Sequence, residues 1–148
     1  DDGSWQYLQS SEIISEDGGV INGPNLPIAV WQHAITAVNS TVSILSGGNT
    51  NATDQDLTKL SYFCMFYECL ADNSSLTWFY NHENGTFLSG PTLLEGREWH
   101  ASATIVDKVT KAKIPVVTGG RTARGISNWD VLASTELLID GQWQTGKI

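Results

Sequence analysis

The chain has 148 residues, a formal net charge of −8 and a hydrophobic content of 41%, enough for one ordinary core and too apolar for a disordered segment. Eight Lys plus Arg stand against sixteen Asp plus Glu. That balance argues against nucleic acid and against an anionic membrane surface as partners, because both need a cationic face. No run reaches the roughly 18 apolar residues that a membrane-spanning helix requires.

In chain order, Asp1-Asp2-Gly3 lacks the basic-then-apolar pattern of a signal peptide, which places any targeting segment outside these residues. Ser11–Ser15 and Gly19–Asn22 read as strands on either side of an Asp17-Gly18 turn, and Gly23-Pro24 stops the ladder. His33–Val38 and Thr41–Ser46 form a hairpin around Asn39-Ser40, and Gly47-Gly48 ends the apolar run. Residues 49–75 read as an insertion rich in Asn, Thr and Asp. Trp78–Asn81 and Thr86–Ser89 then make a hairpin across Asn84-Gly85, the kind of dipeptide that tight hairpins favour. His100–Val106, Ile114–Thr118, Ser134–Ile139 and Gln142–Thr145 continue the series. The expectation is an all-β chain of ten or eleven short strands without helical periodicity.

Much of this text repeats. Asp17-Gly18, Gly23-Pro24 and His33-Ala34 recur 67 residues later as Asn84-Gly85, Gly90-Pro91 and His100-Ala101, and Asp140-Gly141 with Gly146 begins a third copy. Trp5 to Ile14 matches Trp129 to Leu138, and Val42 to Gly48 matches Ile114 to Gly120. Self-similarity at tens of residues is the mark of a repeat architecture.

The double glycines at Gly47-Gly48 and Gly119-Gly120, the Trp residues at Trp78 and Trp143, Arg97 with His100, and the run Ser134–Leu138 together resemble the Kelch-repeat family, in the form found in extracellular invertebrate proteins. The first copy departs at the Arg position, which holds Val30. The resemblance implies a partial β-propeller of four-stranded antiparallel blades. Residues 1–24 would end one blade, 25–91 would form a second with the insertion at 49–75, and 92–148 a third. Two and a half blades leave apolar faces and strand edges uncovered. The expected partners are therefore protein: further blades of a longer chain, or other subunits in a homo-oligomer or filament.

Four sequons, at Asn39, Asn51, Asn73 and Asn84, point to a secreted glycoprotein carrying N-linked glycans. Cys64 and Cys69 lie close enough in sequence to close a short disulfide loop in an oxidising compartment, provided the chain turns between them. Ser15-Glu16-Asp17-Gly18-Gly19 resembles the start of the Ser-x-Asp-x-Gly turn of sialidase-type propellers, a structural feature there.

Chemistry is sparse. His33 and His100 hold equivalent repeat positions, which favours packing over catalysis, and no third ligand accompanies them. Glu95 and Glu98 flank Arg97 and read as a solvated rim, although paired carboxylates can serve glycoside hydrolysis. Arg121 and Arg124 follow a double glycine, on a loop where two guanidinium groups can grip a carboxylate or sulfate. The reading that results is a non-catalytic extracellular binding or assembly scaffold without a cofactor. Its rivals are a fibre subunit, and a glycan-active or copper-oxidase-like propeller whose catalytic groups lie elsewhere.

Overall fold

The computed structural model describes residues 8–50, 72–123 and 129–146. Over these the protein is all-β, with fifteen strands in five antiparallel sheets and no helix. The sequons and loop residues Asn51 and Arg124, and both Cys64 and Cys69, fall outside the described residues.

Two sheets have four strands and the same sequential order. The first contains β4 (Ala34–Ala37), β5 (Val42–Ser46), β8 (Thr77–Asn81) and β9 (Thr86–Ser89); the second contains β10 (Ala101–Val106), β11 (Lys113–Thr118), β14 (Thr135–Ile139) and β15 (Gln142–Thr145). A lone hairpin of β1 (Glu12–Ile14) and β2 (Val20–Asn22) precedes them. Its ending repeats theirs: Gly23, Gly90 and Gly146 donate to the carbonyls of Ser11, Thr77 and Thr135. The expected strands are therefore present, shifted by a residue or two at their ends.

Each hairpin closes for a local reason. Asp140 and Gly141 both have positive φ, 50° and 75°, the backbone of a two-residue turn whose twist matches its strands. At Asn39 the side-chain carbonyl accepts from the N–H groups of Thr41 and Val42, at 2.8 Å each, so the side chain stands in for a backbone turn. Ser15-to-Gly19 is likewise self-contained, with Asp17 accepting from the Ser15 hydroxyl and from the Gly19 N–H. Those bonds hold the Asp17 carboxyl below its ordinary value.

The five strands that the sequence did not announce are two or three residues long: β3 (Val30–Trp31), β6 (Asn49–Thr50), β7 (Asp72–Asn73), β12 (Arg121–Ala123) and β13 (Trp129–Val131). Asn49 pairs with Asn73 and Thr50 with Asp72, while Arg121 to Ala123 pair with Val131 to Trp129. Both ribbons leave the second strand of a four-stranded sheet through a double glycine. The presumed insertion at 49–75 thus begins and ends as the same ribbon the second unit carries in shorter form.

The core is split by the first sheet. Leu26, Val30, Leu45 and Trp78 cluster on one side, with Ile28 and Phe87 against them. Ile44, Leu93, Val117 and Trp143 cluster on the other, with Val38, Phe79 and Leu138. Alternation along β5 explains the division, since adjacent Ile44 and Leu45 point to opposite faces. The second cluster draws on both four-stranded sheets and joins them. One ladder is cut short: β5 and β8 pair over five residues, but β11 and β14 only over Val116 to Thr118. Pro115, the next residue, has no N–H to give.

Candidate functional site

The functional candidates collect at the end of the sheets where the double glycines lie, and at the junction between the two units. Gly47 and Gly119 have φ near +60°, at 58° and 67°, a conformation that suits glycine. A methyl group on Gly48 would stand 2.8 Å from the Trp31 carbonyl oxygen and 3.0 Å from His33 Cβ; on Gly120 it would stand 2.5 Å from the Glu98 carbonyl oxygen and 2.9 Å from His100 Cβ. The two second glycines thus meet equivalent neighbours.

The first glycines do not. A Cβ at Gly47 would lie 2.4 Å from the Arg97 carbonyl oxygen and 2.8 Å from His100 Cε1, whereas at Gly119 it would meet only the Leu132 carbonyl oxygen, at 3.8 Å, among the described residues. Gly47 is wedged against the second unit. Gly119 has no such wall against it among the described residues.

Main-chain bonds fasten the junction. Gly48 N–H donates to the Arg97 carbonyl at 2.8 Å, and Trp99 N–H to the Gln32 carbonyl at 3.2 Å. Gln32 and Trp99 occupy the same repeat position and share a left-handed backbone, φ 57° and 54°, unusual for side chains of that size. Thr104 donates its hydroxyl to the Ala37 carbonyl at 2.7 Å, again between equivalent positions, and Trp143 Nε1 donates to the Pro91 carbonyl at 3.0 Å.

Among the described residues, three charged side chains are buried. Arg97 is fully enclosed and reaches the Glu136 carboxylate at 2.6 Å, the carbonyls of Gly119 and Ser134, and the Ser134 hydroxyl. Glu136 also accepts from the N–H groups of Leu94 and Glu95. In the first unit the same two positions hold Val30 and Trp78, which pack together in the apolar cluster. One site in the repeat is filled by an ion pair in one unit and by hydrocarbon in the other.

Glu98 corrects the expectation of a solvated rim: it is completely buried. Its backbone bridges Arg121, and its carboxylate takes the Arg121 Nε at 2.6 Å. The Arg121 guanidinium lies between two indoles, 4.5 Å from the Trp99 ring centre and 4.0 Å from that of Trp129, a stabilising cation–π arrangement. The predicted ligand-loop arginine is therefore already gripped by three side chains. The partial exposure of Arg121 and Trp99 leaves the rim of this stack at the surface.

The equivalent histidines differ as well. His33 is exposed, while His100 is buried and its Nε2 bonds the Ser46 hydroxyl across the junction at 2.9 Å. Burial first, then the charges of Arg97 and His33, lower the His100 pKa to about 4. The neutral ring is the form that fits. In the unfolded chain the imidazole returns to about 6.5, so its contribution is complete above pH 6.5 and is lost as pH falls toward 4. We expect thermal melts to show an acid-induced loss on the order of 3 kcal/mol across that window, with His100→Gln flattening the profile. An unchanged profile in that variant would show that other groups set the acid limit. His82, exposed beside its turn, bonds the Ser43 hydroxyl at 2.9 Å.

The outer face of the second unit is open where the first is covered. Ser46 is fully buried, but its counterpart Thr118 is exposed and turns to Thr135 instead. Ile44 is buried, but its counterpart Val116 is only partly so. Below them a cleft of about 300 Å³ is lined by Leu94, Glu95, Ser134, Thr135, Glu136 and Thr145. In the first unit the counterpart of Thr135 is Thr77, whose hydroxyl donates to the Pro91 carbonyl of the crossing segment.

Sequence reasoning singled out Arg97 and His100 as repeat markers and read Glu136 only as part of a strand. The signal that links them is the offset: when Thr77 is matched to Thr135, Trp78 falls on Glu136 just as Val30 falls on Arg97. Among the described residues no group of three or more His, Cys, Asp or Glu is arranged to hold a metal ion, and no helix is long and apolar enough to cross a membrane. No protein-family model matches the chain, and no curated protein matches it.

Proposed function

We propose that the protein is a non-catalytic extracellular scaffold of the Kelch-repeat propeller type, in which each four-stranded unit is a blade and function lies in binding protein partners or in assembly. One observation carries this reading. The outer face of the second unit repeats, at Val116, Thr118 and Gly119, the surface that the first unit presents to it at Ile44, Ser46 and Gly47. A surface built to the same pattern takes the same kind of neighbour: a further four-stranded unit bringing a histidine to Thr118 and a backbone carbonyl to Gly119. Among the described residues β1 pairs only with β2, whereas its counterparts β8 and β14 each pair with another strand on the other side, which supports the same reading.

The buried charges support a structural role rather than catalysis. Arg97 and Glu136 bond each other and the backbone, the Glu98 carboxylate bonds Arg121, and the side-chain bond of His100 goes to Ser46. A subunit of an extracellular fibre is the second reading, favoured by the same open face if units join in a line rather than a ring.

Sedimentation analysis tests the proposal. The protein is expected to self-associate or to bind further units, and Val116→Asp to abolish association without altering the far-ultraviolet spectrum. A wild-type protein that stays monomeric at every concentration, and whose Val116 to Gly120 amides exchange freely beside any partner units, overturns it. Electron microscopy separates rings from filaments.

A further inference from the structure

Several turns use a side-chain oxygen in place of a backbone acceptor, and four such residues, Asp17, Asn39, Asn84 and Asp107, invite comparison. At Asp17 and Asp107 a carboxylate does this work: Asp107 accepts from the N–H groups of Val109 and Thr110 and from the Thr110 hydroxyl. At Asn39 and Asn84 an amide does it through Oδ1 alone. Asn39 Oδ1 accepts from the Thr41 and Val42 N–H groups and from the Thr41 hydroxyl at 3.0 Å; Asn84 Oδ1 accepts from the Thr86 N–H at 3.2 Å and the Thr86 hydroxyl at 2.7 Å. Both asparagines are exposed, and among the described residues neither amide nitrogen makes a hydrogen bond. Asn81 also accepts through Oδ1, from the Glu83 and Asn84 N–H groups, but has no Ser or Thr two residues on. What sets Asn39 and Asn84 apart is an exposed Nδ2 that the turn does not use together with that hydroxyl.

We infer that Asn39 and Asn84 are paired N-glycan attachment sites, with Nδ2 as the atom that carries the sugar. Each hydroxyl two residues on completes the acceptor signal, and the folded turn keeps every Oδ1 bond when Nδ2 is substituted. The two sites are neighbours in space. Val42 pairs with Asn81, and the His82 N–H donates to the Thr41 carbonyl at 2.8 Å, which ties one turn to the other. Because the strands run up and down in order, both turns lie at the end of the sheet opposite Gly47-Gly48. Glycans there shield the hairpin end of the sheet.

This inference rests on the extracellular part of the reading above and not on how units dock, so sedimentation and glycan mapping fail independently. The chain is secreted from a eukaryotic host behind an added leader, then treated with peptide-N-glycanase, which converts each carrier asparagine to aspartate. Peptide mass mapping is expected to find conversion at both Asn39 and Asn84. Thr41→Ala removes the signal at Asn39 while keeping the two backbone bonds to its Oδ1, and Thr41→Ser preserves both; occupancy at Asn39 should vanish in the first and persist in the second, with folding alike. Secreted, folded protein that carries no sugar at either asparagine overturns the assignment, as does sugar at Asn39 in the Thr41→Ala variant.

Discussion

Replacing Arg97 with valine is expected to destabilise the protein by about 3–5 kcal/mol, and adding Glu136→Trp to the same chain to restore most of that loss. The single change leaves a carboxylate enclosed at 2% exposure without its cation, and removing one partner of a buried pair costs that much because the other charge stays desolvated. It also strips a donor from the carbonyls of Gly119 and Ser134. The double change installs the pair already used at Val30 and Trp78. A well-packed apolar replacement of a buried ion pair is often neutral or better. Denaturant titrations of both singles and the double form a complete cycle, in which the coupling between the sites should be large and favourable. For a domain of this size the single variant should melt on the order of 10 °C lower. Additive effects would show that the two positions do not share one packing site.

Alanine at Gly47 is expected to cost about 3–4 kcal/mol, and alanine at Gly119 only about 1–2 kcal/mol. Both pay the left-handed backbone penalty of roughly 1–2 kcal/mol. Only Gly47 adds a methyl group 2.4 Å from a backbone oxygen of the adjoining unit, an overpacking that costs roughly 1–3 kcal/mol more. Chemical denaturation of the two variants side by side measures the gap, which is the strain at the junction with the backbone cost removed. Equal losses would mean that the second unit moves aside without resistance. The proposed docking adds a condition: once a further unit covers Gly119, its alanine variant should become as damaging as that at Gly47.

How much of this was legible beforehand depended on the physical signal. Hairpins built on Asp17-Gly18, Asn39-Ser40, Asn84-Gly85 and Asp140-Gly141 were readable because their turn residues have local reasons to be there. The ribbons were not. Val30–Trp31 and Asn49–Thr50 span two residues each, too few for alternation to register, and they exist because a double glycine redirects the chain. The burial of Glu98 was hidden for another reason. A carboxylate beside an arginine reads as a wet ion pair along the sequence, but its cations here are set by the fold: Arg97 turns away to Glu136, and Arg121 arrives from another strand. His33 and His100 looked alike and are not, since a unit covers one and not the other.

Main-chain bonds from Trp99 to Gln32 and from Gly48 to Arg97 tie the two units through atoms that every residue type carries. Interior side chains at one repeat position can then differ, as ion pair and hydrocarbon do, without disturbing the peptide bonds' part in that seam.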